Sequence, residues 1–346
     1  MRLFLTILAV ALFIISCQKE IHFDSDTPGN GPPSDTTLHE AVYTLINTPN
    51  DCMIDSLAGV YVKGIQIDSS VCKIFIGVNV TKAGTYGITT EEKNGYSFTG
   101  GGVFETTGDQ FLVLNAQGKP VANEQDAFNI TAGTSSCSFA IEVLDAVTVN
   151  NDDYFPLTPG SYWSYEDLTP MHDTMTRSIE NTETVNGLEY AVMKEQRKGA
   201  PHLHNFRKSP GGEYFEYASV DEYAAALSYV PAVSDEIYFM NNYLLKAASW
   251  ETPDFTGTIS SGQPILLKYT FTCLQKDATV VLNGKAFTNV YVLNMQPQIR
   301  SVDHAYNSTG EDYYYYYAKG IGIIYMIKYD LGRRQSEWRI KAWDVK

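Results

Sequence analysis

Apolar side chains recur here at every second position, in runs short enough and often enough broken by turn residues that strands are the only regular structure they can build. Between Ala41 and Asp145, Ile74, Ile76, Val78 and Val80 share one face. Tyr86 and Ile88 follow, then Tyr96 and Phe98, Phe111 and Val113, and finally Phe139, Ile141 and Val143. Period two sends alternate side chains to opposite faces of a pleated strand. Gly84, Asn94-Gly95, Gly108 and Gly118 divide the runs with residues that tolerate positive φ. Many short strands at this spacing imply a β-sandwich over residues 41–147. The 24 Tyr and 16 Phe of the 346-residue chain point the same way, because aromatic residues favour strands.

A polar hinge around Asn150 and Asn151 precedes a second strand-rich segment, residues 152–346. Leu188, Tyr190 and Val192 alternate, as do Leu267, Tyr269, Phe271 and Cys273, with Lys268, Thr270 and Thr272 opposite them. Asn283-Gly284 between two apolar runs predicts a type I′ hairpin, whose twist matches that of its strands. Asp221 to Leu227 is the only stretch with a helical pattern. The fold class expected is therefore all-β.

The first residues constrain location. Arg2, an apolar run from Leu3 to Ile15 and Ser16 before Cys17 have the form of a lipoprotein signal over residues 1–16, too short to span a bilayer. Cys17 is the expected lipidation site and new N-terminus. With two or more acyl chains, at about 0.8 kcal/mol per buried methylene, attachment to the membrane is effectively permanent. Residues 17–40 include DSDTPGNGPPSDTT from Asp24, rich in Pro, Gly and Asp, and read as a lipidated flexible tether. Gln18-Lys19-Glu20 resembles a sorting signal that sends some Gram-negative lipoproteins to the outer face of the outer membrane. The location expected is the outer membrane, lipid-anchored, at the cell surface.

Charge excludes one class of partner. The 25 Lys and Arg against 40 Asp and Glu give a formal charge of −15, and no basic cluster extends beyond Arg333-Arg334. Nucleic acid, which needs concentrated positive charge, is not an expected partner. Once Cys17 is lipidated, Cys52, Cys72, Cys137 and Cys273 remain, in a compartment that permits disulfides. No CxxC pair occurs, which argues against a zinc knuckle. Three pairings of four thiols are possible. Cys137 is in register with Phe139 and Ile141 and Cys52 precedes the first strands, so a Cys52–Cys137 bridge would staple the two ends. Cys52–Cys72 and unpaired thiols stand as alternatives.

The order Cys52, Gly59-Val60-Tyr61, Val78-Asn79-Val80-Thr81, Gly84-Thr85-Tyr86, Asn94-Gly95-Tyr96-Ser97-Phe98, Gly108, Val113-Leu114, Gly118-Lys119-Pro120 and Ser136-Cys137-Ser138-Phe139 resembles an immunoglobulin-like repeat module of Gram-negative secreted and surface lipoproteins. The resemblance implies that Cys52 and Cys137 pair, that Cys72 does not, and that the segment is a spacer or adhesive unit without chemistry. The second segment resembles an uncharacterised β-rich lipoprotein domain that opens on Pro-Leu-x-x-Gly-x-x-Trp-x-Tyr. Pro156 to Tyr165, Val280 to Val292 and Tyr315 to Ile323 carry that likeness. It implies a curved antiparallel sheet, similar to that of lipoprotein carriers that hold acyl chains.

No GxSxG elbow, HExxH helix, P-loop or GxGxxG after a strand is present. The chain is expected not to be an enzyme, and no cofactor is implied, although paired carboxylates of a glycosidase type would leave no trace in sequence. His202 and His204 point the same way in a strand and, with His172 or Asp173, could meet a metal. Exposed strand histidines without a ligand are commoner, so no metal is expected. Tyr313 to Tyr317 is a run of five tyrosines, in which 313, 315 and 317 face one side and 314 and 316 the other. The candidate ligand-binding set is Tyr314, Tyr316 and Trp338, an aromatic platform for a glycan, peptide or partner protein. Trp163 and Tyr165 read as core plugs, and Gly320 and Gly322 as a bulge or a crowded crossing in a sheet. Asp55-Ser56-Leu57 and Asp173-Thr174-Met175 match a short bacterial O-glycosylation pattern that also recurs by chance. The expected function is non-enzymatic binding or support at the membrane surface. The alternatives are a lipid or hydrophobic-ligand carrier, which needs an apolar cavity in the curved sheet, and a hydrolase, which needs paired acids in a cleft.

Overall fold

A computed structural model describes residues 39–48, 51–149, 151–219, 234–259, 261–301 and 304–346. Cys17 with its signal and tether, and the helical stretch at Asp221–Leu227, lie outside them. Among the described residues the chain is all-β, with several antiparallel sheets, one of them strongly curled into a half-barrel.

The N-terminal sheets face one another. The first runs in the order Val42–Leu45, Lys73–Lys82, Gly108–Gly118, Tyr96–Phe104, Gly84–Thr89, with Ile54–Ala58 also beside Lys73–Lys82. The second is built on the hairpin Gln125–Ala132 and Ser135–Leu144, to which Asp51–Cys52 and Tyr61–Val62 add in parallel. Ile74, Ile76, Val78 and Val80 of one sheet meet Phe128, Ile130, Phe139 and Ile141 of the other in a single core. Cys52 and Cys137 are disulfide-bonded, with Cα atoms 4.9 Å apart, and Cys72 and Cys273 are buried free thiols.

One register differs from expectation. Leu112 and Leu114, not Phe111 and Val113, face the core, and Phe111 is exposed. Phe-Leu-Val-Leu is apolar on both faces, so alternation alone admits either phase. Cross-strand pairing decides it: Ile76 lies opposite Leu112 and Ile74 opposite Leu114.

From residue 154 on, a single sheet holds the second core. Its strands follow the order Ser234–Asn241, Glu213–Ser219, His202–Lys208, Leu188–Gln196, Thr174–Val185, Tyr162–Asp167, Arg333–Asp344, Gly322–Asp330, Glu311–Ala318, Lys285–Ser301, Pro264–Leu282 and Ser249–Glu251. The two long strands close at Asn283 and Gly284, with φ of 53° and 70°, the turn expected there. Trp163 and Tyr165 are buried plugs, donating from Nε1 to the Ile321 carbonyl at 2.6 Å and from the hydroxyl to the Ile323 carbonyl at 2.9 Å. Curling brings the outermost strands together, where Trp250 Nε1 donates to the Tyr238 carbonyl at 3.2 Å.

The incoming chain seals one end of this sheet. Phe155 packs edge-on against Phe206 and Phe239, and Tyr154 lies 4.1 Å from the Tyr291 ring. Gly320 N–H donates to the Asp153 carbonyl, and Lys319 and Lys208 pair with Asp152 and Asp153. A Cβ on Gly320 (φ +80°) would stand 2.7 Å from the Asn151 carbonyl oxygen, which is the crowded crossing that its glycine serves.

Candidate functional site

The concave face of the curled sheet encloses a cavity of about 280 Å³. One wall is apolar and aromatic: Phe271, Leu293, Met295 and Ile323 come from strands beside the five-tyrosine run, and Tyr315 and Tyr317 from the run itself. Alternation places them, since Tyr315 pairs with Leu293 and Met326, and Phe271 with Met295.

The opposite wall is an ionic ladder set among apolar neighbours. Arg177 shares a strand face with Met175 and Ile179, Glu195 with Met193, His204 with Phe206, and Glu216 with Tyr214. Arg177 Nε and Nη2 both donate to Glu195 Oε2, at 2.8 and 2.7 Å, and Arg197 Nε approaches Oε1 at 2.8 Å. Burial alone would raise the Glu195 pKa, but the two guanidinium groups more than reverse that and hold it at about 2. His204 Nδ1 lies 2.9 Å from Glu216 Oε1. Burial pushes the Tyr315 and Tyr317 hydroxyls well above their ordinary range, so both are neutral donors.

At the mouth, Lys328 and Ser336 are cross-strand partners, and Trp338 follows on the same face opposite Met326. The Arg197 guanidinium lies over the Trp338 ring at 5.1 Å, and Lys328 Nζ over Tyr313 at 4.9 Å. Lys328 also pairs with Glu311 at 2.6 Å.

The structure does not bring Tyr314, Tyr316 and Trp338 together. Trp338 is buried on the concave face with the odd-numbered tyrosines. Tyr314 and Tyr316 are half-buried on the other face, edge-to-face with Tyr329 and Tyr325 at 5.8 and 5.1 Å. Trp338 is paired opposite Met326, itself opposite Tyr315, a register that no single-strand pattern reveals. His202 is exposed beside His204, and among the described residues no group of three His, Cys, Asp or Glu is placed to hold a metal. The ladder was missed by sequence reasoning. Part of its signal was available, an ionisable residue in register with apolar ones on each of four successive strands, but not the lateral pairing that joins them.

No protein-family model and no curated protein matches the chain. Among solved structures it is similar to a predicted lipoprotein from Parabacteroides distasonis, at 11% identity and a TM-score of 0.38, over 56% of this chain and all of that one. It is similar as well to a predicted exported protein with a YmcC-like fold from Bacteroides fragilis, at 12% identity and a TM-score of 0.36, over 56% of this chain and 99% of that one.

Proposed function

We propose that the protein is a non-enzymatic outer-membrane lipoprotein, anchored through Cys17, that takes a hydrophobic or amphipathic ligand into the concave face of its curled sheet. The cavity carries this reading. At about 280 Å³ it lies near the low end of small-molecule sites, roughly 300 to 1,000 Å³, and it shares their make-up of apolar walls with a few placed polar groups. Two carboxylates, Glu195 and Glu216, do line it. Each is engaged, the first by two arginines and the second by His204, and a carboxylate held near pKa 2 is a poor general acid. That favours binding over hydrolysis. In this reading the immunoglobulin-like segment, 41–147, and the tether act as a spacer that holds the ligand-binding domain, 152–346, off the membrane at the cell surface.

Native mass spectrometry of the protein released from envelope extract is expected to show a small apolar adduct. Leu293→Trp, which fills the cavity, is expected to abolish it while leaving the far-UV circular dichroism unchanged. A protein without adduct that also takes up no long-chain compound would refute the carrier reading. Palmitate labelling that depends on Cys17 tests the anchor, and protease shaving of intact cells tests surface exposure.

A second surface supports contact with a glycan or protein partner. The Tyr314–Tyr329 and Tyr316–Tyr325 pairs present half-buried rings on the convex face. Loss of a glycan-array signal in Tyr314→Ala and Tyr316→Ala, with stability retained, is the result this second reading requires.

A further inference from the structure

The mouth of the cavity is made of hydrogen-bond donors. Arg197 contributes a guanidinium and Lys328 an ammonium, groups that cannot accept, while Ser336 adds a hydroxyl and Trp338 an indole N–H. Arg197 and Lys328 keep side-chain exposures of 50% and 32%, against 9% for Glu195 and 5% for Glu216, so the cations are at the opening and the carboxylates behind it.

At Glu195 two cations meet one carboxylate, whereas Lys328 is paired with Glu311 at 2.6 Å. Glu195 already receives two bonds from Arg177 on one oxygen, and Arg197 brings a second positive charge to the same carboxylate. The Arg197 guanidinium lies over the Trp338 ring at 5.1 Å, and a planar guanidinium is suited to bidentate contact with a carboxylate or phosphate. Both cations are paired, Arg197 through Nε alone, in a chain of formal charge −15.

We infer that the ligand is a single-chain amphiphile with an anionic head, carboxylate or phosphate, whose head sits at Arg197 and Lys328 and whose chain runs inward among Phe271, Leu293, Met295 and Ile323. This rests on the reading of the cavity as a ligand site. A volume of about 280 Å³ accommodates one chain and not the several chains of a whole phospholipid.

Calorimetric titration of the full mature chain, Cys17 to Lys346 made without acyl groups, tests it. The probes are decanoate, decyl phosphate, decanol, decyltrimethylammonium, acetate and inorganic phosphate. Both anionic chains are expected to bind about tenfold or more tighter than decanol, the worth of a charge-assisted bond. The cationic chain and the two heads alone are expected not to bind. Arg197→Gln is expected to erase the preference for the anionic chains, so that decanoate and decanol bind equally, and Arg197→Lys to restore part of it. Equal binding of decanoate and decanol, or a preference that survives Arg197→Gln, would overturn the head assignment and leave the cavity reading standing. Acetate or phosphate binding as tightly as the chains would show a surface anion site and overturn the inference. Failure of every chain to bind would remove the cavity reading and the inference together.

Discussion

Replacing Glu195 by Gln keeps the shape of the side chain and removes the charge that holds Arg177 inside the sheet, where their side-chain exposures are 9% and 13%. The native structure lowers the Glu195 pKa from 4.5 to about 2, against burial and because of Arg177 and Arg197. A displacement of that size is worth about 3 kcal/mol of stability at neutral pH. Its sign follows from proton binding. Between pH 2 and 4.5 the unfolded chain holds a proton on this group that the native chain does not, so the contribution is complete above about pH 4.5 and fades as the pH falls toward 2. Urea unfolding followed by tryptophan emission is the suitable assay, because Trp163, Trp250, Trp338 and Trp343 all belong to the curled sheet and the signal is blind to the sandwich. At pH 7, Glu195→Gln is expected to lie about 3 kcal/mol below the unmodified protein; near pH 2.5 most of that gap is expected to close. Glu166 and Glu236, whose pKa values are lowered by bonds from Arg339 and Arg207, titrate in both proteins and cancel from the difference. A gap that stays constant from pH 7 to 2.5 would refute the electrostatic account and leave only a packing defect.

Reduction of the Cys52–Cys137 bridge, which spans 85 residues, or Cys52→Ser, is expected to cost about 4 to 5 kcal/mol in the chain-entropy model. Calorimetry with and without reductant checks this, and an unchanged melting temperature of the sandwich transition would contradict it. Tyr96→Phe removes the 2.9 Å bond to Asp126, a fully buried carboxylate whose other bond to that oxygen comes from Asn94 at 2.8 Å. A loss of roughly 1 to 3 kcal/mol in urea unfolding is expected, as for a buried acceptor deprived of a partner. Gly320→Ala forces a Cβ against the Asn151 carbonyl at positive φ, and is expected to cost about 2 kcal/mol. Tryptophan-monitored unfolding that is indifferent to the alanine would show that the crossing can relax.

Where a strand is apolar on one face only, its pattern was enough: Leu267, Tyr269, Phe271 and Cys273 are buried in the alternation their spacing predicts, and Asn283-Gly284 turns as its chemistry requires. Phe111-Leu112-Val113-Leu114 shows the limit, because a strand apolar on both faces carries no phase and only its partner strand supplies one. Arg177, Glu195, His204 and Glu216 show another. They come from four strands between residues 174 and 219, and what makes them a site is lateral pairing, which a one-dimensional pattern does not contain. Trp338 fell on the unexpected side for the same reason. Curvature is a property of the whole sheet, so the cavity itself had no local signature.

The polar hinge leads straight into the second core. Tyr154 and Phe155 stop up one end of the half-barrel, and Asp152 and Asp153 are fastened to Lys319 and Lys208 on its rim. A truncation that starts at the Trp163 strand would therefore leave an unstoppered cup, with Phe206, Phe239 and Tyr291 opened to solvent at its base. Any tension on the chain that precedes it would likewise be delivered to this stopper, making the cork of the vessel also its mooring.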